Sequence, residues 1–144
     1  METITTHNLS SGLEDYIETI YISELAGESL KGAELARKLF ISRASVSEAL
    51  SKLVNMGLIE YKSYGFIKLT KKGIEEAKKV YSTHGILKEF FQGILCVNEK
   101  EAGENACRIE HIITKDVLEK MAKFSDYCKN NPEIIEKFKN NYNG

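Results

Sequence analysis

The 144-residue chain has no apolar run approaching the ~20 residues of a membrane span, only three cysteines, and a single proline. The missing apolar run argues against a helical membrane protein. The opening METITTHNLSSG is too polar for a secretory leader. An odd number of scattered cysteines without a CxxC pair argues against a disulfide framework. A cytoplasmic protein with no membrane partner is therefore expected. Also missing are a nucleophile elbow, a phosphate-cradling glycine loop and a metalloprotease signature, so no enzymatic activity is expected. Structural zinc motifs show paired Cys or His at close spacing, and none occurs here. Internal repeats and low-complexity stretches are absent too. What remains is 42% apolar, enough for one sizeable core or two small ones.

The net charge of −1 conceals a strong asymmetry. Residues 1–30 carry six acidic side chains and no Lys or Arg, whereas residues 37–79 carry ten Lys or Arg against four Glu. That second segment, at +6, suits either a polyanion or an ordinary solvated face.

Periodicity organises the chain. Ser11-Gly-Leu-Glu14 fits a capping box, and Leu13, Tyr16, Ile17, Ile20 and Tyr21 follow at helical spacing to about Leu25. A short helix over 32–39 and a third opened by Ser42 follow. The third has Val46, Ala49, Leu50 and Leu53 on one face and Gly57 as its left-handed terminator. The period then shifts to that of strands over 58–61 and 66–69, joined by a turn at 62–65. Further helices are expected over 71–95, from Asn98 to about Ile113, from Thr114 to about Cys128, and from Pro132 onward.

Helix, helix–turn–helix and a two-stranded hairpin, in that order, make a winged helix-turn-helix. The fold class expected is mainly α: that winged domain over residues 1–72, then an all-helical domain over 73–144. In the DNA reading, the third helix presents Ser42, Arg43, Ser45, Ser47, Glu48 and Lys52 to a major groove. The wing offers Lys62 and Tyr64, with Ser63 between them, to the neighbouring backbone. A small α+β domain without a nucleic-acid role fits the same pattern of elements.

A second constellation carries chemistry. Asp15 and Glu18 are three apart on the first helix, His84 lies on the long helix, and Cys107, Glu110 and His111 share one helical face. Singly these are ordinary surface or core residues. Together, imidazole, carboxylate and thiolate form a mixed donor set suited to a divalent first-row cation. A metal-activated water in a hydrolase would use the same donor types.

Four stretches carry a resemblance to a known family: EDYIETIY (14–21), SRASVSEALSKLVNMGLIEY (42–61), LTKKG (69–73) with the His84 region, and ACRIEH (106–111). They resemble the diphtheria toxin repressor and manganese transport regulator family, over roughly residues 10–130. The resemblance implies a metal-dependent transcriptional repressor with a DNA-binding domain over 1–72 and a helical dimerisation and metal-binding domain over 73–144, ending where larger members carry an SH3-like domain. Asp15 and Glu18 match the manganese-type ligands of the first helix. His84, Glu110 and His111 match ligands shared across the family, and Cys107 matches the iron type. Lys88 and Gly103 stand where the iron type has ligands of a second site, so any second ion needs a different set.

The resulting expectation is a homodimeric repressor of metal-homeostasis genes, activated by Mn(II) or Fe(II), with Co(II) or Zn(II) as substitutes in vitro. Its operator would be double-stranded DNA with inverted half-sites. The alternative is a metal-independent winged-helix regulator that senses a small ligand or, through Cys96 or Cys107, an oxidant.

Overall fold

The computed structural model describes residues 9–62 and 65–142, and its contacts divide the chain into two compact units that meet in sequence between Tyr81 and Ser82.

The first unit opens with α1, Ser11–Leu25. Its cap is Ser10 rather than the expected Ser11. Ser10 is extended (φ −64°, ψ 159°) and its Oγ accepts from Leu13 N at 3.2 Å, whereas Ser11 is already helical. Glu14, the other half of the expected box, is buried instead. A two-residue strand, β1 (Leu30–Lys31), leads into α2 (Gly32–Leu39) and α3 (Arg43–Asn55). Two residues are too few to show alternation, so β1 left no readable signal. Ser42 caps α3, its Oγ accepting from Ser45 N at 3.1 Å. Gly57 follows at φ +74°, the left-handed conformation that terminates a helix at least cost for glycine.

Strands β2 (Ile59–Glu60) and β3 (Phe66–Leu69) complete a three-stranded antiparallel sheet of order β1-β3-β2. Leu30 faces Ile67 and Ile59 faces Leu69. Glu24 Oε1, near the end of α1, accepts from Leu69 N at 3.0 Å and ties helix to sheet. The core beneath is built from Ile17, Ile20, Leu35, Leu50, Leu53 and Leu58, each almost fully buried. The architecture is a winged helix-turn-helix.

Helix α4 runs Lys71–Glu89. It begins in the first unit, where Ile74 and Ala77 join the core, and this is why the compact units divide inside α4, later than residue 72. Its start grips the end of α3. Thr70 N donates to Leu58 O (3.0 Å), Thr70 Oγ1 to Gly57 O (2.6 Å) and Lys72 Nζ to Met56 O (3.2 Å). Thr70 Oγ1 also caps α4 by accepting from Gly73 N at 3.0 Å. Three successive carbonyls beyond α3 thus find donors in one short segment.

In the second unit α4 ends in a π-helical turn, Phe90–Ile94, instead of continuing as α-helix to Leu95. Phe90 meets Phe124 there, with ring centroids 6.3 Å apart. Helices α5 (Glu99–Ile109), α6 (Lys115–Asn130) and α7 (Glu133–Asn141) follow. Helix α5 stops short of the expected Ile113, because Thr114 must be extended (ψ 153°) to cap α6 through Val117 N. Pro132 is the cap of α7, not its first helical residue. Cys128 is buried core, while Cys96 is exposed at φ +60°. Lys129 donates to Glu89, and that carboxylate holds its ammonium pKa above the usual lysine value. No helix among the described residues is long and apolar enough to cross a membrane.

Gly73 allows a direct test of the α3–α4 grip. A Cβ there would lie 2.0 Å from Leu58 O and 3.1 Å from Leu69 Cδ2. Alanine normally gains about 1 kcal/mol over glycine inside a helix, but here the backbone at Leu58 would have to move. Gly73→Ala is therefore expected to lower the unfolding free energy by roughly 2 kcal/mol in urea titration. A stabilised variant would contradict the close approach.

Candidate metal centre

The second unit gathers its chemistry where α5 ends. Ala102 and Ala106 are fully buried, so α5 packs through its smallest side chains. Cys107 then occupies the last turn of α5, and Glu110 follows three residues later at the helix C-cap, still in αR conformation (φ −56°, ψ −25°). Cys107 and Glu110 of the expected face thus stay three apart in helical geometry, while His111 lies in the turn beyond the helix end.

Opposite stands His84 on α4. Its Nδ1 lies within hydrogen-bond distance of Glu110 Oε2, at 2.6 Å. Cys107 Sγ lies 3.8 Å from the same nitrogen. His111 Nε2 is 3.5 Å from Glu110 Oε1. The Glu110 side chain has no exposed surface, and His111 and His84 retain 9% and 24%.

Donor atoms of His84, Cys107 and Glu110 all fall within 4.8 Å of one another. Donors sharing one first-row cation at about 2.0–2.3 Å stand no more than ~4.6 Å apart, so a slight contraction seats an ion. Glu110 Oε1 is buried and accepts no hydrogen bond among the described residues. A buried carboxylate oxygen in that state is costly, and a cation is the partner that best compensates it. The residues present fit a divalent metal.

Asp15 and Glu18 lie three apart on α1, in the first unit. A further feature escaped sequence reasoning. Lys88 and Glu99 are eleven positions apart, yet Lys88 Nζ lies 3.5 Å from Glu99 Oε1. The pair lines an open cleft of about 720 Å³ together with His84, Asn98, Gly103 and Cys107. Only the packing of α5 against α4 creates that neighbourhood, and no spacing rule encodes it.

On the first unit, Ser42, Arg43, Ser45, Ser47, Glu48 and Lys52 are all exposed along α3. Glu48 and Lys52 form an i,i+4 ion pair at 3.7 Å, and Ser42 Oγ donates to Ser45 Oγ at 2.9 Å. The exposed ion pair is a weak contact of at most about 0.5 kcal/mol, so both side chains can be redirected at little cost. Lys62 is exposed at the wing, and Tyr64, with Ser63, lies outside the described residues.

Comparisons with known proteins place these features in context. Residues 8–67 match the model of the iron dependent repressor N-terminal DNA-binding domain, and residues 70–139 match that of the iron dependent repressor metal-binding and dimerisation domain. An uncharacterised HTH-type transcriptional regulator of Methanocaldococcus jannaschii is 38% identical over 122 residues, covering 84% of this chain and 98% of that one. The HTH-type transcriptional regulator MntR of Listeria welshimeri is 28% identical over 88% of this chain and 89% of its own length. Among solved structures, the manganese regulator SloR superposes with a TM-score of 0.70 at 30% identity over 80% of this chain. The chain spans about half of that protein (54%).

The soft donor gives the centre its test. Cys107→Ser replaces a thiolate by a harder, weaker ligand. Calorimetric titration is expected to show a larger loss of affinity for Zn(II) and Co(II) than for Mn(II). Equal losses for all three would remove the thiolate from the ligand set.

Proposed function

The chain belongs to the iron-dependent repressor family of metal-dependent, DNA-binding transcriptional repressors, and we propose that it acts as a cytoplasmic homodimer, switched on by Mn(II) or Fe(II), that represses genes of metal-ion homeostasis. It is a regulator, not an enzyme. The observation that carries the reading is the convergence of His84, Cys107 and Glu110 in a chain that also holds a helix-turn-helix.

His84, Cys107, Glu110 and His111 would hold the ion from the helical unit, with Asp15 and Glu18 of α1 completing the set. Residues 1–72 then read DNA and residues 73–144 bind metal and dimerise. The hard carboxylates favour Mn(II) and Fe(II), and the thiolate widens tolerance toward Co(II) and Zn(II). A related regulator, ScaR, 25% identical to this chain, has been solved with Zn2+ and with Cd2+ bound, in keeping with a permissive donor set. When bound, the ion supplies positive charge to clustered carboxylates and directional bonds between their elements.

Supporting the dimer, Ile112, Val117, Phe124 and Tyr127 of the helical unit are 78%, 48%, 46% and 56% exposed, apolar side chains that a partner subunit would cover. A two-fold dimer calls for an operator of inverted half-sites about one helical turn, or a multiple, apart.

Two sets of variants test the reading. Glu110→Ala and His111→Ala are each expected to abolish metal-dependent operator binding while circular dichroism stays that of the wild type. Metal activation retained by either variant would remove that residue from the site. On the DNA side, Arg43→Ala is expected to weaken binding to all sequences and to reduce the salt slope by about one unit. Glu48→Ala is expected to change discrimination at one base pair per half-site, by ~1–3 kcal/mol, with the slope unchanged. Uniform loss in Glu48→Ala across single-base operator variants would place α3 elsewhere than in the groove.

A further inference from the structure

Phe40 combines two unfavourable features at one position. It adopts the left-handed conformation (φ 57°, ψ 44°) at the turn between α2 and α3, where helix-turn-helix turns often use glycine. Its side chain is also 94% exposed, the most exposed large apolar residue among those described. The turn itself is ordered, with Phe40 N donating to Arg37 O at 3.4 Å and Ile41 N to Ala36 O at 3.1 Å. Glycine would give the same backbone without strain and without an apolar ring in water. Strain and exposure held together at one residue point to a function for the side chain.

The surroundings identify the partner. Residues 35–47 contain Arg37, Lys38 and Arg43 and no acidic side chain, and all three cations are exposed. Phe40 precedes Ser42, the N-cap of α3, by two residues, and the amino-terminal end of a recognition helix is the part that enters the major groove. The aromatic ring therefore projects from a cationic rim beside the DNA-reading surface. The apolar group that a major groove offers is the C5-methyl of thymine.

We propose that Phe40 is a specificity-determining residue that contacts a thymine methyl at one position of each half-site. The inference rests on the DNA-reading role of α3 and adds to it a base contact outside that helix.

The test uses a duplex selected by the wild-type protein from a random-sequence pool in the presence of MnCl2. Phe40→Ala removes the ring, and Phe40→Gly removes both ring and strain. Phe40→Gly is expected to melt at or above the wild-type temperature, and both variants are expected to bind the selected duplex about fourfold more weakly per half-site, with the salt slope unchanged. Deoxyuridine is then substituted for each thymine in turn. At one position per half-site the lost methyl should weaken wild-type binding about fourfold and leave Phe40→Ala unaffected. Unchanged binding by Phe40→Ala, or identical deoxyuridine profiles for wild type and variant, would overturn the base contact. A lower melting temperature for Phe40→Gly would overturn the strain argument on which it stands. If the wild type selects no duplex at all, the DNA-reading role fails and this contact falls with it, whereas wild-type selection with an indifferent Phe40→Ala removes this contact alone.

Discussion

A carboxylate with no exposed surface, Glu110, is the constraint around which the helical unit is arranged. Burying such a group without adequate partners costs several kcal/mol. One oxygen is met by His84 at 2.6 Å. The other accepts no hydrogen bond among the described residues and has His111 Nε2 3.5 Å away as an ion-pair neighbour. The fold is specific in producing this condition. Alanines at 102 and 106 let α5 pack closely, the helix then ends, and its C-cap residue is Glu110. A hydrophobic residue there would serve stability better. A carboxylate in that place, with an imidazole and a thiol beside it, is a donor set that could hold a cation.

In the proposed function, what the cation controls depends on α4. Thr70 and Lys72 at its start supply donors to the carbonyls of Met56, Gly57 and Leu58 just beyond α3. Later residues of α4 carry His84. From Gly73 to His84 the helix rises about 16 Å, and no proline interrupts it. Under the proposed function, α4 carries both the segment that grips the end of α3 and the proposed ligand His84. Coupling of metal to DNA requires that metal favour the DNA-competent arrangement, and linkage makes the effect reciprocal.

Much of this was legible in the sequence, because the signals were local. Ser42 as cap, Gly57 as terminator and the change of period at residue 58 each follow from a few neighbouring residues, and the winged helix-turn-helix appears as those residues imply. The Cys107–Glu110 spacing was readable for the same reason, and His84 stands beside both. Less was legible wherever a distant partner decides the outcome. The two-residue β1 exists only because β3 pairs with it. The π-helical turn after Glu89, and the meeting of Lys88 with Glu99, depend on how α5 and α6 pack. The strained Phe40 was invisible, since no composition or period rule places a phenylalanine in a left-handed turn.

If one metal site governs DNA binding, metal and operator are linked in a closed thermodynamic cycle. The most direct measurement is Mn(II) affinity of the full chain with and without its selected operator duplex, beside operator affinity with Mn(II) and with chelator, all at one salt concentration. The two ratios are expected to agree and to exceed about tenfold, a coupling of more than ~1.4 kcal/mol. Operator affinity unchanged by the chelator, with Mn(II) affinity unchanged by DNA, would contradict it.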